Sequence, residues 1–507
     1  MGANDGDRRR IAGPRMGRHR IKASGRGSRA ACVWPPFFLS APLLSAPSFP
    51  PPLAWETRPM TSRLTTLPPG SEALEKTALT LGFVPLTDCV PLVVALEKGF
   101  FAGQGLTVTL SKEPSWSNIR DKLMVGLLDG AHMLTGLALA MSAGVGSLTA
   151  PTRTAHALGL NGNAITVSEE LYRSMLAADP EAMAGRPMSA RALKRVVAAN
   201  AAAGLPPLTF GVVFSVANHA YQIRHWLAAA GLDPDRDVRL ITVPPPRMVA
   251  ALKAGDIVGF CVGEPWNSLA VHEGVGRVLI TGHELWNNGP EKVLGVLAAW
   301  ADANPNTHRA VIRALIEAQR WLDEPANRVE AAALLADPRY VGLPADVLEP
   351  SLTGRFRYGQ GEAEVALPDF HVFHRYAASF PWRSHALWLL AQMVRWGQIA
   401  DSTDLAALAA GVYDAELHRQ AKRDLGEAVP LTDTKLEGAH AAPWLLEEAT
   451  APIPMGPDLF HDRGIFDPTD PLAALRPETP RVVPGPPPPV SLPAAGAPAD
   501  GAAKPAD

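Results

Sequence analysis

From Thr77 onward the chain alternates between short runs that read as strands and longer runs with helical apolar spacing. ALTLGFV, residues 78–84, is an apolar strand. PLVVALEKGFFAGQG has the spacing of an amphipathic helix that stops at Gly103 and Gly105, and LTVTL alternates as a second strand. Together they predict a βαβ unit. NIRDKLMVGLLDG, AHMLTG and LALAMSAGVG continue as helix, strand and helix. The pattern restarts near Leu208 with TFGVVF, NHAYQIRHWLAAAGL, VRLITV, PRMVAALKAGD and IVGFCVG. Such alternation predicts α/β architecture with mainly parallel sheets. Two separate sets predict two lobes.

Two later segments, THRAVIRALIEAQRWLDE and SHALWLLAQMVRWGQI, read as long helices. Their tryptophans Trp321, Trp388 and Trp396 fall on apolar faces, which makes them core residues. The expected division is residues 1–76 as an N-terminal extension, 77–165 as the first part of lobe one and 166–288 as lobe two. Residues 289–466 return to lobe one and add C-terminal helices. The Pro/Ala-rich tail, 467–507, lacks a core-forming pattern and is expected to be disordered. Arginine-rich residues 1–30 and the apolar stretch VWPPFFLSAPLLSAPSFPPPLAW mimic the layout of an export signal. The prolines cut that apolar stretch into short pieces, so residues 1–59 are expected to be disordered or untranslated, with Met60 as the start.

Lys and Arg total 47 against 50 Asp and Glu, a net charge of -3, which gives no reason to expect nucleic acid or a charged membrane surface as a partner. No apolar run approaches the roughly 18–20 residues of a membrane-spanning helix. Cys32, Cys89 and Cys261 are widely scattered without CxxC or metal-type spacing. They predict reduced thiols, with no disulfide framework or metal site.

The sequence contains no GxSxG, Walker A, HExxH or strand-linked GxGxxG pattern. Polar groups gather instead at the C-terminal ends of the expected strands, where α/β folds place ligand sites. They are Thr87-Asp88, Ser115-Trp116-Ser117-Asn118, Asn161-Gly162-Asn163, Asn218-His219, Glu264-Pro265-Trp266 and Lys292. A planar anion suits such a set, because helix N-termini and amides donate hydrogen bonds and one lysine neutralises a monoanion. Each residue also has a plainer reading. Trp116 could anchor a loop, Asn163 could be a turn residue, and His219 could belong to a helix cap. Lys292, beside Glu291, could be a solvated charge, and Asp88 and Arg120-Asp121 read as capping or salt-bridge groups.

Taken together, GFVPLTDCVPLVVALEKGFF, SWSNIRDKLMVGLLDGAHML, LNGNAITVS, IVGFCVGEPWN and PEKVLGV resemble the nitrate- and bicarbonate-binding proteins of ABC transporters. That family includes cytoplasmic nitrate/nitrite sensors. The resemblance extends from about Leu79 to His440, through PWRSHALWLLAQMVRWG and LTDTKLEGAH. It implies a two-lobed, type II periplasmic-binding-protein-like clamp with the ligand in a cleft between the lobes, no enzymatic activity and no cofactor. In nitrate binders the anion is held by the tryptophan of the SW motif, an amide after NG, a histidine before the second-lobe helix and the lysine of PEK. These fall on Trp116, Asn163, His219 and Lys292. Asn163 stands where the family often has glutamine, and Ala220 follows His219, so nitrate and nitrite both stay open.

Lysine at position 292 favours nitrate or nitrite over bicarbonate, whose O–H wants an acceptor. Without an export signal, the expectation is a cytoplasmic nitrate/nitrite sensor that holds or releases an RNA-binding antiterminator. The alternative is an exported binding component that delivers nitrate or bicarbonate to an inner-membrane ABC permease. Neither contacts nucleic acid directly. A thiamine-pyrimidine-synthase-like enzyme would need a cofactor lysine and a cysteine-rich stretch, and a sulfonate binder would not carry SWSNIRDK with PEKVLG.

Overall fold

The computed structural model describes residues 73–146 and 148–473. The expectations for residues 1–59, for Met60 as the start and for the tail beyond residue 473 lie outside the described residues. Residues 73–76, expected to belong to the extension, are held in place. The Glu75 carboxylate accepts the N–H groups of Asn306 (3.1 Å) and Thr307 (2.9 Å), and Lys76 N–H donates to Thr307 Oγ1 at 3.1 Å. At the other end, Leu472 packs against the core.

Eleven strands matter for the site. They are β1 (Ala78–Phe83), β2 (Thr107–Lys112), β3 (Gly130–Leu134), β4 (Thr152–Arg153), β5 (Leu160–Asn161) and β6 (Asn163–Ser168). After them come β7 (Thr209–Val212), β8 (Arg239–Thr242), β9 (Gly259–Gly263), β10 (Gly276–Thr281) and β11 (Lys292–Leu297). They build two five-stranded sheets, ordered β2-β1-β3-β11-β4 and β10-β6-β9-β7-β8, while β5 pairs with His371–Val372.

The expectation of mainly parallel sheets is corrected. In the first sheet β1 runs parallel to β2 and β3, but β11 is antiparallel to β3 and β4. In the second, β7 is parallel to β8 and β9, whereas β6 is antiparallel to β9 and β10. The cause is topological. β6 is the first strand of the second sheet and β11 returns to the first, so each runs against its neighbours. Helical crossovers within one sheet keep the remaining strands parallel.

Each sheet has its own apolar core. Leu79, Leu81 and Phe83 of β1 pack with Val90, Val93 and Val94 of the helix Val90–Glu97 and with Leu315 of the long helix Pro305–Asp323. Phe210 and Cys261 pack with Ile223, Trp226 and Leu227 of the helix Asn218–Ala229. A third cluster includes residues from both sheet regions, among them Trp116, Leu137, Tyr221, Val262 and Trp388. Trp321 and Trp396 are only partly buried and lie under cations: Lys98 Nζ is 5.1 Å from the Trp321 ring, and the Arg224 and Arg395 guanidiniums are each 4.9 Å from that of Trp396. Among the described residues, no helix is long and apolar enough to cross a membrane. Cys89 and Cys261 are buried free thiols.

Candidate anion site

Strand direction explains why distant residues meet. Ligand groups gather beyond the C-terminal ends of parallel strands. An antiparallel strand begins at that same edge, so Lys292 and Asn163, the first residues of β11 and β6, arrive there too. Antiparallel pairing sets Lys292 opposite Leu134 and Leu294 opposite His132. With a two-residue side-chain period, His132 and Lys292 therefore share one face of the sheet. Both reach the Asp88 carboxylate that follows β1: His132 Nε2 lies 2.8 Å from Oδ1, and Lys292 Nζ donates to Oδ2 at 2.7 Å.

All four sequence-predicted residues converge on this point. Lys292 is 1% exposed, so its reading as a solvated charge is overturned. It bonds the Glu291 carboxylate as well as Asp88, and its Nζ lies 5.6 Å from the centre of the Trp116 ring. Trp116 is 1% exposed and belongs to a helix rather than to a loop. It opens the helix Trp116–Met124, whose Ser115 cap accepts the Asn118 N–H, and its indole N–H is buried without a partner. From the second sheet, Asn163 Nδ2 donates to Glu291 Oε2 at 2.8 Å. The turn is made by Asn161 and Gly162, both with positive φ, so Asn163 itself is a buried strand residue. His219 Nε2 sits 2.9 Å from Glu291 Oε1, but off the axis of an aligned hydrogen bond. The Asn218 amide also donates to Glu291.

The helix Asn218–Ala229 begins without a side-chain cap, the Ala220 N–H donating instead to the Ala217 carbonyl at 2.9 Å, and its partial positive charge lies at this end. β9 ends opposite Asn163 at Gly263, where an added Cβ would lie 3.3 Å from Asp88 Oδ2 and 3.6 Å from Glu291 Oε1. The two sheet regions touch here through Thr87 N–H, which donates to the Glu264 carbonyl at 2.7 Å. Arg120 and Asp121 pair with each other at 2.7 Å, in keeping with their reading as salt-bridge groups.

The residues missed by the sequence are Glu291 and His132, while Asp88 fills its expected salt-bridge role, with Lys292 as partner. Glu291 was visible only as Lys292's neighbour. His132 carries no local signal, because its place depends on the β3–β11 register.

Electrostatically this is a cage of donors around one carboxylate. Burial alone would raise the pKa of Glu291, but His219 and Lys292 outweigh it and hold the carboxyl below its ordinary value. Burial likewise opposes ionisation of Asp88, yet Lys292 and His132 hold it far below the usual range. Burial would lower Lys292, and the two carboxylates raise it instead. Burial pushes His132 down despite Asp88. One ammonium thus faces two carboxylates. Glu264, also buried, is pushed up to about 7 by desolvation, although Ser268 N–H donates to it at 3.1 Å.

Two α/β sheet regions that meet across a buried polar cluster have the architecture of the periplasmic-binding-protein type. Residues 72–336 match the NMT1-like family. Over 418 residues the chain is 35% identical to the nitrate/nitrite binding protein NrtA of Synechococcus elongatus, covering 80% of this chain and 87% of that protein. It is 39% identical over 420 residues to the nitrate import ATP-binding protein NrtC of Synechocystis sp., but spans only 56% of that longer relative's length. The crystal structure of the periplasmic nitrate-binding protein NrtA from Synechocystis PCC 6803 superposes with a TM-score of 0.70 at 30% identity, covering 80% of this chain and 99% of that one. The chain belongs to the NMT1-like family and, within it, to the nitrate-binding solute-binding proteins of ABC transporters. It is a binding protein and not an enzyme.

Proposed function

We propose that the chain binds nitrate or nitrite in this cage as the substrate-binding component of an ABC importer, with Trp116, Asn163, His219 and Lys292 as ligand residues. One observation carries the reading. Donors from both sheet regions (Asn163, Asn218 and His219 on one side, Lys292 on the other) converge on a single planar oxyanion, the carboxylate of Glu291. A carboxylate matches nitrite in its O–X–O geometry and nitrate in planarity and charge. The cage therefore displays the donor set a small oxyanion requires.

Placing nitrate there requires Glu291 to turn away or take up a proton, since a second anion among the same donors meets a like charge. The names of the relatives, nitrate/nitrite binding, nitrate import and periplasmic, support an exported protein that works with an ABC permease. The expectation of a cytoplasmic sensor holding an RNA-binding antiterminator has no such support, and the exported reading replaces it.

A second reading has its own observation. Glu291 places a carboxylate acceptor beside Lys292, which suits the O–H of bicarbonate. Calorimetric titration of the purified chain with nitrate, nitrite and bicarbonate separates the two. Saturable nitrate or nitrite binding that Lys292→Glu removes is the expected result. Binding of bicarbonate alone selects the second reading, and silence for all three rejects both.

A further inference from the structure

About two turns beyond His219, the same helix presents His225 to a second cluster of ligand-type side chains. His461 and Asp462 meet it from the segment that follows the strand Ile453–Met455. One ligand atom from each of the three lies within 4.8 Å of the others. His225 Nε2 and Asp462 Oδ2 are 3.6 Å apart, and the two imidazole rings stand perpendicular, with centroids 5.0 Å apart. We propose that His225, His461 and Asp462 bind a divalent transition-metal ion of the zinc, nickel or copper class.

The supporting observation is the state of the ring nitrogens. Both nitrogens of His461 and Nε2 of His225 are closed off from solvent, yet none has a hydrogen-bond partner. Buried polar atoms ordinarily find one. Here three lack it at one spot, beside a carboxylate oxygen. The backbone fixes two of the ligands: His461 N–H donates to the Leu285 carbonyl at 2.8 Å, and Gly464 N–H donates to Asp462 Oδ1 at 3.1 Å, leaving Oδ2 to face the imidazoles.

Two imidazoles and one carboxylate are a ligand set that such metals accept, with water completing the shell. Metal–ligand bonds of about 2.0–2.2 Å put neighbouring ligand atoms roughly 3.3 Å apart, so the His225–Asp462 pair already has nearly the right spacing. The side chains of His225 and Asp462 remain 16% and 20% exposed, so the cluster lies near the protein surface. Other charge bears on the site: Asp462 acts electrostatically on Arg395, whose guanidinium lies against the Trp396 ring. The competing role is packing, since the His225 ring also meets Trp388 and Phe460 edge-on.

The test is calorimetric titration of the tag-free full chain with Zn²⁺ after EDTA treatment, repeated for His225→Gln, His461→Gln and Asp462→Asn. The expected result is one tight equivalent in the parent protein, weakened at least 100-fold in each variant. Melting temperatures in EDTA identify any variant that has simply unfolded, and the remaining ones decide. No saturable equivalent in the parent, or an equivalent that survives the substitutions in folded protein, overturns the proposal.

Discussion

Replacing Glu291 by glutamine tests whether its carboxylate competes with the ligand. The wild-type side chain takes bonds from Asn163, Asn218 and Lys292 and lies against His219, the donors a bound nitrate would need. If Glu291 stays, nitrate about 4 Å from it meets a repulsion of about 4 kcal/mol at an effective dielectric of about 20. If it leaves, it forfeits charge-assisted hydrogen bonds of about 1.5–3 kcal/mol each. Both routes weaken binding by several kcal/mol. Glutamine removes the repulsion and holds the donors less strongly, while Asp88 still pairs with Lys292 at 2.7 Å and keeps it charged. Allowing for partial compensation, we expect nitrate affinity to rise by about 10- to 100-fold, or about 1.4–2.8 kcal/mol. Titration calorimetry at low and high ionic strength, with thermal melts as a folding control, measures this. Unchanged or weaker nitrate binding in the folded variant would refute the competition argument and favour a role for Glu291 as acceptor.

Lys292→Met should abolish nitrate binding and destabilise the fold by about 3–5 kcal/mol in denaturant melts, because it strands two buried carboxylates. Gly263→Ala brings a methyl to 3.3 Å from Asp88 Oδ2, so it should weaken nitrate binding in calorimetry while shifting the melting temperature little. Glu264 titrates near 7 in the fold against an ordinary 4.5, so the folded state favours its protonated form. That contribution is complete below pH ~4.5 and is lost as pH rises through ~7, about 3 kcal/mol in all. Glu264→Gln should remove this slope from urea melts taken between pH 5 and pH 8; a parallel pH profile would count against it.

The α/β alternation was legible because apolar periodicity is local, and β1, β2, β7 and β9 fall where the pattern puts them. The helix after β2 starts two residues before NIRDKL, at Trp116, because the Ser115 hydroxyl rather than Asn118 caps it. Sheet direction was not legible. It is set by the crossings into β6 and β11, which no window of sequence contains. The same limit explains the site. Trp116, Asn163, His219 and Lys292 stood out through their motifs, whereas His132 reaches Asp88 through the pairing of β1 with β3 and shares a face with Lys292 only through the β3–β11 register. Burial separated the alternatives for Lys292, whose neighbours in sequence suggest a surface charge.

The central claim is that a small oxyanion takes the place of Glu291's carboxylate among donors from both sheet regions. A crystal structure of the protein grown with saturating nitrate tests it most directly. The account predicts nitrate against Trp116 within hydrogen-bond reach of Asn163, His219 and Lys292, with the Glu291 side chain turned out of the cage. Nitrate bound elsewhere, with Glu291 still held by Asn163, Asn218 and Lys292, would contradict it.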